Sequence, residues 1–124
     1  NVTIRADNLK TYFQTGVTAD TANGFAFNTY SSGSDTNLNG TAGFWGTDAS
    51  DGSVAVALNL DLSGSWSNGN VVIIKAGNNA ATNNVTVRAN VGGGQTIDGE
   101  ESILLESDNA AVTLVYGNDN WNIV

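Results

Sequence analysis

The sequence predicts an all-β protein: a single domain folded as an antiparallel β-sandwich, jelly-roll-like, with short strands and Gly/Asn turns. Three observations support this fold class. Strand-length segments rich in β-branched and aliphatic residues recur along the chain. Asn-Gly and Asp-Gly pairs, which adopt positive φ easily and suit tight hairpins, separate many of them. Helix formers such as Glu, Lys and Gln are scarce, Met is absent, and no long segment has helical periodicity.

The chain length predicts one domain that covers residues 1–124. Within it, residues 1–62 and residues 70–124 form two halves, and the polar segment 63–70 is expected to act as a hinge between them. Hydrophobic residues make up 40% of the chain, which is enough to bury a core. Because the chain has no Cys, its stability must come from sheet packing or from association between subunits.

In the N-terminal half, residues 53–62 show the clearest alternation of apolar and polar positions. One face carries Val54, Val56, Leu58, Leu60 and Leu62, and the other carries Ala55, Ala57, Asn59 and Asp61. Because alternate residues of a strand share a face, the first set is expected to lie in the core. The two alanines suit close approach of a neighbouring sheet or subunit.

The C-terminal half reads as five strands separated by Gly, Asn and Asp. They lie at residues 71–76, 84–89, 101–106, 111–116 and 120–124. The run Val71–Ile74 is apolar on both faces, which predicts a central strand covered on both sides. The predicted core residues are Val72, Ile74, Leu104 and Leu114. The turn at 117–120 is expected to fold the last strand back as a hairpin, with Trp121 and Ile123 on one face.

Charge and composition exclude several classes of function. The net charge is −8 and the cations are Arg5, Lys10, Lys75 and Arg88, so no nucleic acid partner is expected. No stretch approaches 18 apolar residues, so no membrane insertion is expected. The absence of His and Cys excludes the common nucleophilic triads. A pair of carboxylates could still cleave glycosides, but solvated strand ends explain the acids better, and the protein is predicted not to be an enzyme.

One segment, Asp35-Thr36-Asn37-Leu38-Asn39-Gly40, matches the first half of a calcium-binding loop, D-x-[DN]-x-[DN]-G. Its candidate metal ligands are Asp35, Asn37 and Asn39, because calcium prefers oxygen ligands at alternate positions before a glycine. The closing Glu of such a loop is missing, and Gly46 stands in its place, so Asp48 or Asp51 would have to close the site. The alternative is an Asx-rich turn with no metal. No other cofactor is expected.

Three aromatic residues are candidates for a glycan-binding platform, because Trp and Tyr rings stack on sugar rings. Trp66 lies among polar residues and is the best candidate for exposure, followed by Tyr30 and Trp45. The alternative is that these rings have ordinary packing roles, because a few aromatic residues are common on any β-scaffold. Tyr116 and Trp121 lie in predicted strands and are expected to pack in the core or between subunits.

Residues 70–124 resemble the C-terminal β-module of bacteriophage virion proteins. The resemblance rests on the order Val-Thr-Val, Gly-Gln-Thr-Ile-Asp-Gly, Ser-Ile-Leu-Leu, Val-Thr-Leu-Val and Trp-Asn-Ile-Val. Its most particular pieces are Gln95–Gly99 and the turn Tyr116–Asn120 before Trp121. Residues 1–62 show no such resemblance.

This resemblance implies a structural protein on the surface of a virion, of the head-decoration or tail-fibre and spike type. It implies a homotrimer, with the major capsid or tail proteins as further partners. Strand edges that lack Pro also predict association between subunits. The alternative function is a carbohydrate-binding adhesin or receptor-binding module that recognises a host-surface glycan.

Overall fold

A computed structural model describes residues 25–31, 35–47 and 58–124 of the chain. The described part contains nine strands and one short 3-10 helix at Val91–Gly93, and no α-helix. The strands are β1 (Phe27–Tyr30), β2 (Thr36–Asn37), β3 (Gly43–Thr47), β4 (Leu58–Leu62), β5 (Val71–Lys75), β6 (Val85–Ala89), β7 (Ser102–Leu105), β8 (Ala111–Gly117) and β9 (Asn120–Ile123). The all-β prediction is therefore confirmed.

The strands form two mixed sheets that pack against each other as a small β-sandwich. The five-stranded sheet, here called sheet A, has the order β1-β3-β5-β8-β9. The four-stranded sheet, here called sheet B, has the order β2-β4-β6-β7. Both sheets therefore contain strands from the N-terminal and the C-terminal half of the chain. Residues 63–70 connect β4 in sheet B to β5 in sheet A.

The first six strands alternate between the two sheets, so the chain from β1 to β6 winds as a superhelix. This part is called the coil below. Neighbouring strands of the coil are parallel: β1 with β3, β3 with β5, β2 with β4, and β4 with β6. The last three strands pair antiparallel. The β-sandwich is thus confirmed, whereas uniformly antiparallel, jelly-roll-like pairing is wrong for β1 to β6.

The physical reason lies at the corners between the sheets. Asn39 and Gly40 both have positive φ, of 51° and 74°, as in a tight hairpin. Here, however, they lead the chain from β2 in sheet B across to β3 in sheet A. The Gly40 N–H donates to the Ser63 carbonyl oxygen at 2.9 Å, which ties this corner to the next one. The same dipeptide therefore makes a corner where a hairpin was expected.

The core lies between the sheets and is built from residues in register on neighbouring strands. In sheet B, Leu60 pairs with Val87, and both are fully buried. In sheet A, Val72 pairs with Leu114, and both are again fully buried. Burial of one such side chain contributes about 1.5–3 kcal/mol, so these ladders dominate the stability of the domain.

Three of the four predicted core residues are confirmed, because Val72, Ile74 and Leu114 have no exposed surface. Leu104 is wrong, since 52% of it is exposed. Its neighbour Leu105 is 6% exposed and faces the core, so the alternation of the strand turns Leu104 outward. The strand β5 is central in sheet A as predicted. On the outer face of β5, Val71, Ile73 and Lys75 are half-buried, so this face is only partly covered.

The C-terminal hairpin of β8 and β9 is confirmed. Asn118 and Asp119 form its two-residue turn with φ of 54° and 62°, and Gly117 pairs with Asn120. Positive φ at both positions matches the twist of the flanking strands. Trp121 is fully buried, whereas 44% of Ile123 is exposed at the rim of the sandwich.

Candidate functional surfaces

The outer face of sheet A is apolar, and it is called the apolar face below. One row across this face joins Phe27, Phe44, Ile73 and Thr113 in register. Phe27 is 71% exposed, and its ring stacks on that of Phe44 with the centroids 5.0 Å apart. Because alternate residues of β1 face inward, the strand presents Phe27 to the solvent while it buries Tyr30.

A glycine shapes this surface. A Cβ atom at Gly46 would lie 2.7 Å from Cε1 of Phe44, closer than atoms can approach. The missing side chain therefore leaves room for the Phe44 ring above β3. On the same face, but farther from β1, Lys75 of β5 pairs with the exposed Ala111 of β8. The two rings consequently form a ridge over β1 and β3, and smaller side chains follow over β8.

The strands of sheet A contain no Asp or Glu, and Lys75 is their single charged residue. The Lys75 ammonium donates to the Asn109 carbonyl oxygen. Among the described residues, the apolar face is therefore almost uncharged, although the whole chain carries a net charge of −8.

The outer face of sheet B, called the polar face below, carries the opposite chemistry. Asn37, Asp61 and Arg88 lie side by side in register on β2, β4 and β6. The Arg88 guanidinium binds Asp61 through two contacts, Nε to Oδ1 at 2.5 Å and Nη2 to Oδ2 at 2.8 Å. Nη2 also lies 3.4 Å from Oδ2 of Asp35. The hydrogen bond with Asp61 is the main cause of the raised pKa of Arg88.

The calcium candidates lie on this polar face, and protein groups contact two of them. The Asp35 carboxylate contacts Arg88 and accepts a hydrogen bond from Asn59 Nδ2 at 2.9 Å. Asn37 Oδ1 accepts from the Asn39 backbone N–H at 2.9 Å and from the Ser63 hydroxyl. The bond between Asn37 and Asn39 makes an Asx turn, which is the alternative considered for this segment.

Calcium binding by Asp35, Asn37 and Asn39 stays a prediction. Within the described ranges, no group of three or more His, Cys, Asp or Glu residues could hold a metal ion. The two acids considered for closing the loop, Asp48 and Asp51, lie outside the described residues.

Two of the three glycan candidates are buried, so their predicted exposure is wrong. Tyr30 is 2% exposed, and its hydroxyl donates to the Lys75 carbonyl oxygen at 2.5 Å. Burial raises the pKa of Tyr30 to about 12. Trp45 is 8% exposed, and its indole N–H donates to the Thr41 carbonyl oxygen at 3.0 Å. Both rings pack in the core, which is the alternative stated for them.

Trp66 is half-buried and keeps part of its surface open. Its ring meets that of Trp121 edge to face, with the centroids 4.8 Å apart and an interplanar angle of 83°. The indole N–H of Trp66 points to the Leu62 carbonyl oxygen at 3.4 Å. Glycan binding by Trp66 stays a prediction.

The segment around Asp98 covers the outer edge of β9, a role that sequence reasoning missed. The Trp121 N–H donates to the Thr96 carbonyl oxygen, and the Asp98 N–H donates to the Trp121 carbonyl oxygen, both at 2.9 Å. The Ile123 N–H donates to Oδ2 of Asp98 at 3.3 Å. An edge strand with free hydrogen-bonding groups invites pairing with another chain. Here the Trp121 N–H, the Trp121 carbonyl oxygen and the Ile123 N–H are already occupied.

The turn that makes this possible was visible in the sequence as Asp98-Gly99. Both residues have positive φ, of 47° and 89°, and Ile97 pairs with Glu100 across the turn. Ile97 itself is fully buried, which anchors the segment. The dipeptide predicts a tight turn, but nothing local predicts that the turn docks against β9.

No protein-family model matches this chain, and no curated protein matches it significantly. Among the described residues, no helix is long and apolar enough to cross a membrane. The alanines Ala55 and Ala57, considered for close subunit contact, lie outside the described residues.

Proposed function

We propose that the protein is a non-enzymatic structural subunit of a bacteriophage particle. It decorates or cements the capsid, or builds a fibre, and it is located on the surface of the virion. It assembles as a homotrimer through β-sheet faces and edges, and it contacts the major capsid or tail proteins. The number three rests on the resemblance of residues 70–124 to phage β-modules.

One observation carries this proposal: large apolar side chains lie exposed on an acidic β-scaffold. They are Phe25, Phe27, Leu104, Ile123 and Val124, with exposed fractions from 44% to 74%. Of these, Phe27 lies beside Phe44 on the outer face of sheet A, and an exposed apolar patch on a small protein commonly marks a contact with another molecule. Each 100 Å² of such surface removed from water contributes roughly 2.5 kcal/mol, from which the entropy cost of association must be subtracted.

The fold suits a mechanical role. Its two sheets share one core, and tight turns with positive φ fix several of the connections between strands. Structural subunits need such a rigid frame, because their contacts must stay in place without any further conformational step. No chemical reaction is required for this function.

Light scattering of the purified chain tests the assembly. We expect a particle of three times the 12.8 kDa chain mass at micromolar concentration. A stable monomer under these conditions would contradict the proposal. Electron microscopy of the source particle, with the protein labelled, tests its location and would contradict the proposal if the label were absent from virions.

A carbohydrate-binding adhesin is the second candidate, and the partly open ring of Trp66 favours it. A glycan array with the wild-type chain and Trp66→Ala tests this function. Trp66→Phe is the matched variant, because it keeps an aromatic ring against Trp121. Binding that is lost in the first variant and largely kept in the second would favour the adhesin. Equal binding by all three proteins would exclude Trp66 as the platform.

A further inference from the structure

We infer that the apolar face, the outer face of sheet A, is the surface through which copies of this chain contact one another. The inference rests on the proposed function and specifies which surface the assembly uses. The partner is a second copy of the chain, and the contact centres on the ridge of Phe27 and Phe44.

Charge is the first argument. Identical chains with a net charge of −8 repel each other, and two carboxylates brought within 4 Å cost about 1 to 4 kcal/mol, depending on how much water remains between them. The described acids lie on the polar face or in the turns next to β7, β8 and β9: Asp35, Asp61, Asp98, Glu100, Glu101, Glu106, Asp108 and Asp119. The strands of sheet A contain none. Two copies can therefore meet over these strands without placing any of the eight described acids between the two sheets.

The same charge pattern argues against other partners. A nucleic acid needs clustered cations, and sheet A offers only Lys75, which is bonded to the Asn109 carbonyl oxygen. An anionic membrane would be repelled by the net charge. A second copy carries the same net charge, but it can approach over sheet A, because the strands of this sheet bring no carboxylate towards the other chain.

Shape is the second argument. The stacked rings of Phe27 and Phe44 stand at one side of the face, and Ala111 and Thr113 lie over β8 at the other. The ridge of one copy can therefore rest on the small side chains of the next copy. Such a contact joins two different parts of one surface, so it can repeat around a closed ring.

The covered edge of β9 is the third argument. A sheet can also associate sideways by pairing its edge strand with another chain. At β9 this route is closed, because residues 96–98 already bond to Trp121 and Ile123. At this end of sheet A, another copy is therefore expected to contact the face of the sheet and not its edge.

Sedimentation velocity at about 1–100 µM, with wild type and three variants, tests the inference. Phe27→Asp places an acid on the ridge, at a side chain that is 71% exposed, so the subunit should keep its fold. Ala111→Asp places an acid among the small side chains over β8. Leu104→Asp is the matched control, because Leu104 is a 52% exposed apolar residue on the polar face. Circular dichroism and melting curves check that every variant is folded.

We expect Phe27→Asp and Ala111→Asp to weaken association roughly 30-fold or more, the loss typical of a central aromatic contact. Leu104→Asp should assemble like wild type. The inference is overturned if Phe27→Asp assembles normally, or if Leu104→Asp dissociates equally; in both cases the proposed structural function stands and uses another surface. A wild-type chain that stays monomeric overturns the inference together with the proposed assembly.

Discussion

The first six strands and the last three strands are held together in different ways. In the coil of β1 to β6, partners are far apart in sequence: Phe27 pairs with Phe44, and Phe44 pairs with Ile73. In the C-terminal part, here called the cap (β7, β8 and β9), Tyr116 pairs with Trp121 across a two-residue turn. Local pairs close cheaply, whereas distant pairs must first overcome the entropy of closing a long loop.

The cap also completes both sheets of the coil. In sheet A the last coil strand, β5, pairs with β8, and in sheet B β6 pairs with β7. The parallel coil therefore ends on an antiparallel strand in each layer. We therefore expect the stability of the coil to depend on the cap, and the variants below measure that dependence.

The largest expected effect is the loss of the last strand. Deletion of residues 120–124 removes Trp121, which is fully buried, and leaves the hydrogen-bonding groups of residues 96–98 without their partners. Loss of a buried Trp side chain alone costs about 3–5 kcal/mol, a large part of the usual stability of a domain. We expect no soluble folded protein, measured by circular dichroism and gel filtration. Ile123→Ser, at a 44% exposed position, is the control and should fold. A truncated chain with an unchanged melting temperature would show that the coil does not need the cap.

The next largest effect is expected at Ile74, where the coil meets the cap. Ile74 pairs with Trp45 on the coil side and with Val112 on the cap side, and it is fully buried. Ile74→Ala should lower the free energy of unfolding by about 2–5 kcal/mol in urea titrations. Asn78→Ala, at an exposed turn residue whose φ is not positive, should change it by only about 0.5 kcal/mol. Equal shifts for both variants would contradict the strand assignment.

The third effect concerns pH and tests β1, the strand farthest from the cap in sheet A. Burial raises the pKa of Tyr30 from its usual value of 10.0 to about 12. The neutral phenol therefore contributes stability that is fully present below pH 10 and is lost as the pH rises towards about 12. Tyr30→Phe should lose this part of the pH dependence, and it should lose about 1 kcal/mol with the hydrogen bond to Lys75.

Urea midpoints for both proteins between about pH 8 and pH 11 measure the difference. Burial, followed by the charge of Asp119, also raises the pKa of Tyr116, but this residue contributes equally to both proteins. Parallel curves for wild type and Tyr30→Phe would contradict the assignment of the effect to Tyr30.

The smallest effect is expected on the polar face of the coil. Arg88 and Asp61 make a two-contact pair, yet 42% and 28% of their side chains are exposed, so solvent screens the pair. A double-mutant cycle of Arg88→Gln and Asp61→Asn should give a coupling energy of about 0.2–1 kcal/mol, reduced by salt. The matched cycle with Asp35→Asn should give less, because that contact is 3.4 Å long. A larger coupling for Asp35 would contradict the observed geometry.

The sequence predicts the cap better than the coil. Turns with positive φ at Asp98-Gly99 and at residues 117–120 are local features, and the chain shows them directly. Parallel pairing has no local signature of this kind. Asn39-Gly40 has the backbone angles of a hairpin turn, but the strands on its two sides lie in different sheets. Whether Asn39-Gly40 makes a hairpin within one sheet or a corner between two sheets depends on the packing of the whole domain.

The same limit explains the errors at single residues. Ile103-Leu104-Leu105 is apolar throughout, so its composition does not reveal which residue faces the core. Tyr30 lies in a four-residue strand and Trp45 between glycines, so neither has a long alternating pattern around it. The calcium and glycan candidates depend on side-chain partners that sequence spacing does not specify.

The number of residues between paired strands of the coil differs from one turn to the next. In sheet B the step from Thr36 to Leu60 is 24 residues and the step from Leu60 to Val87 is 27, yet both keep the same register. In sheet A the corresponding steps, from Phe27 to Phe44 and from Phe44 to Ile73, are 17 and 29 residues. The numbers of residues between paired strands therefore differ while the ladders stay aligned. Insertions and deletions in these connections can therefore change the surface of the domain without shifting the paired strands, because surface connections tolerate changes of length.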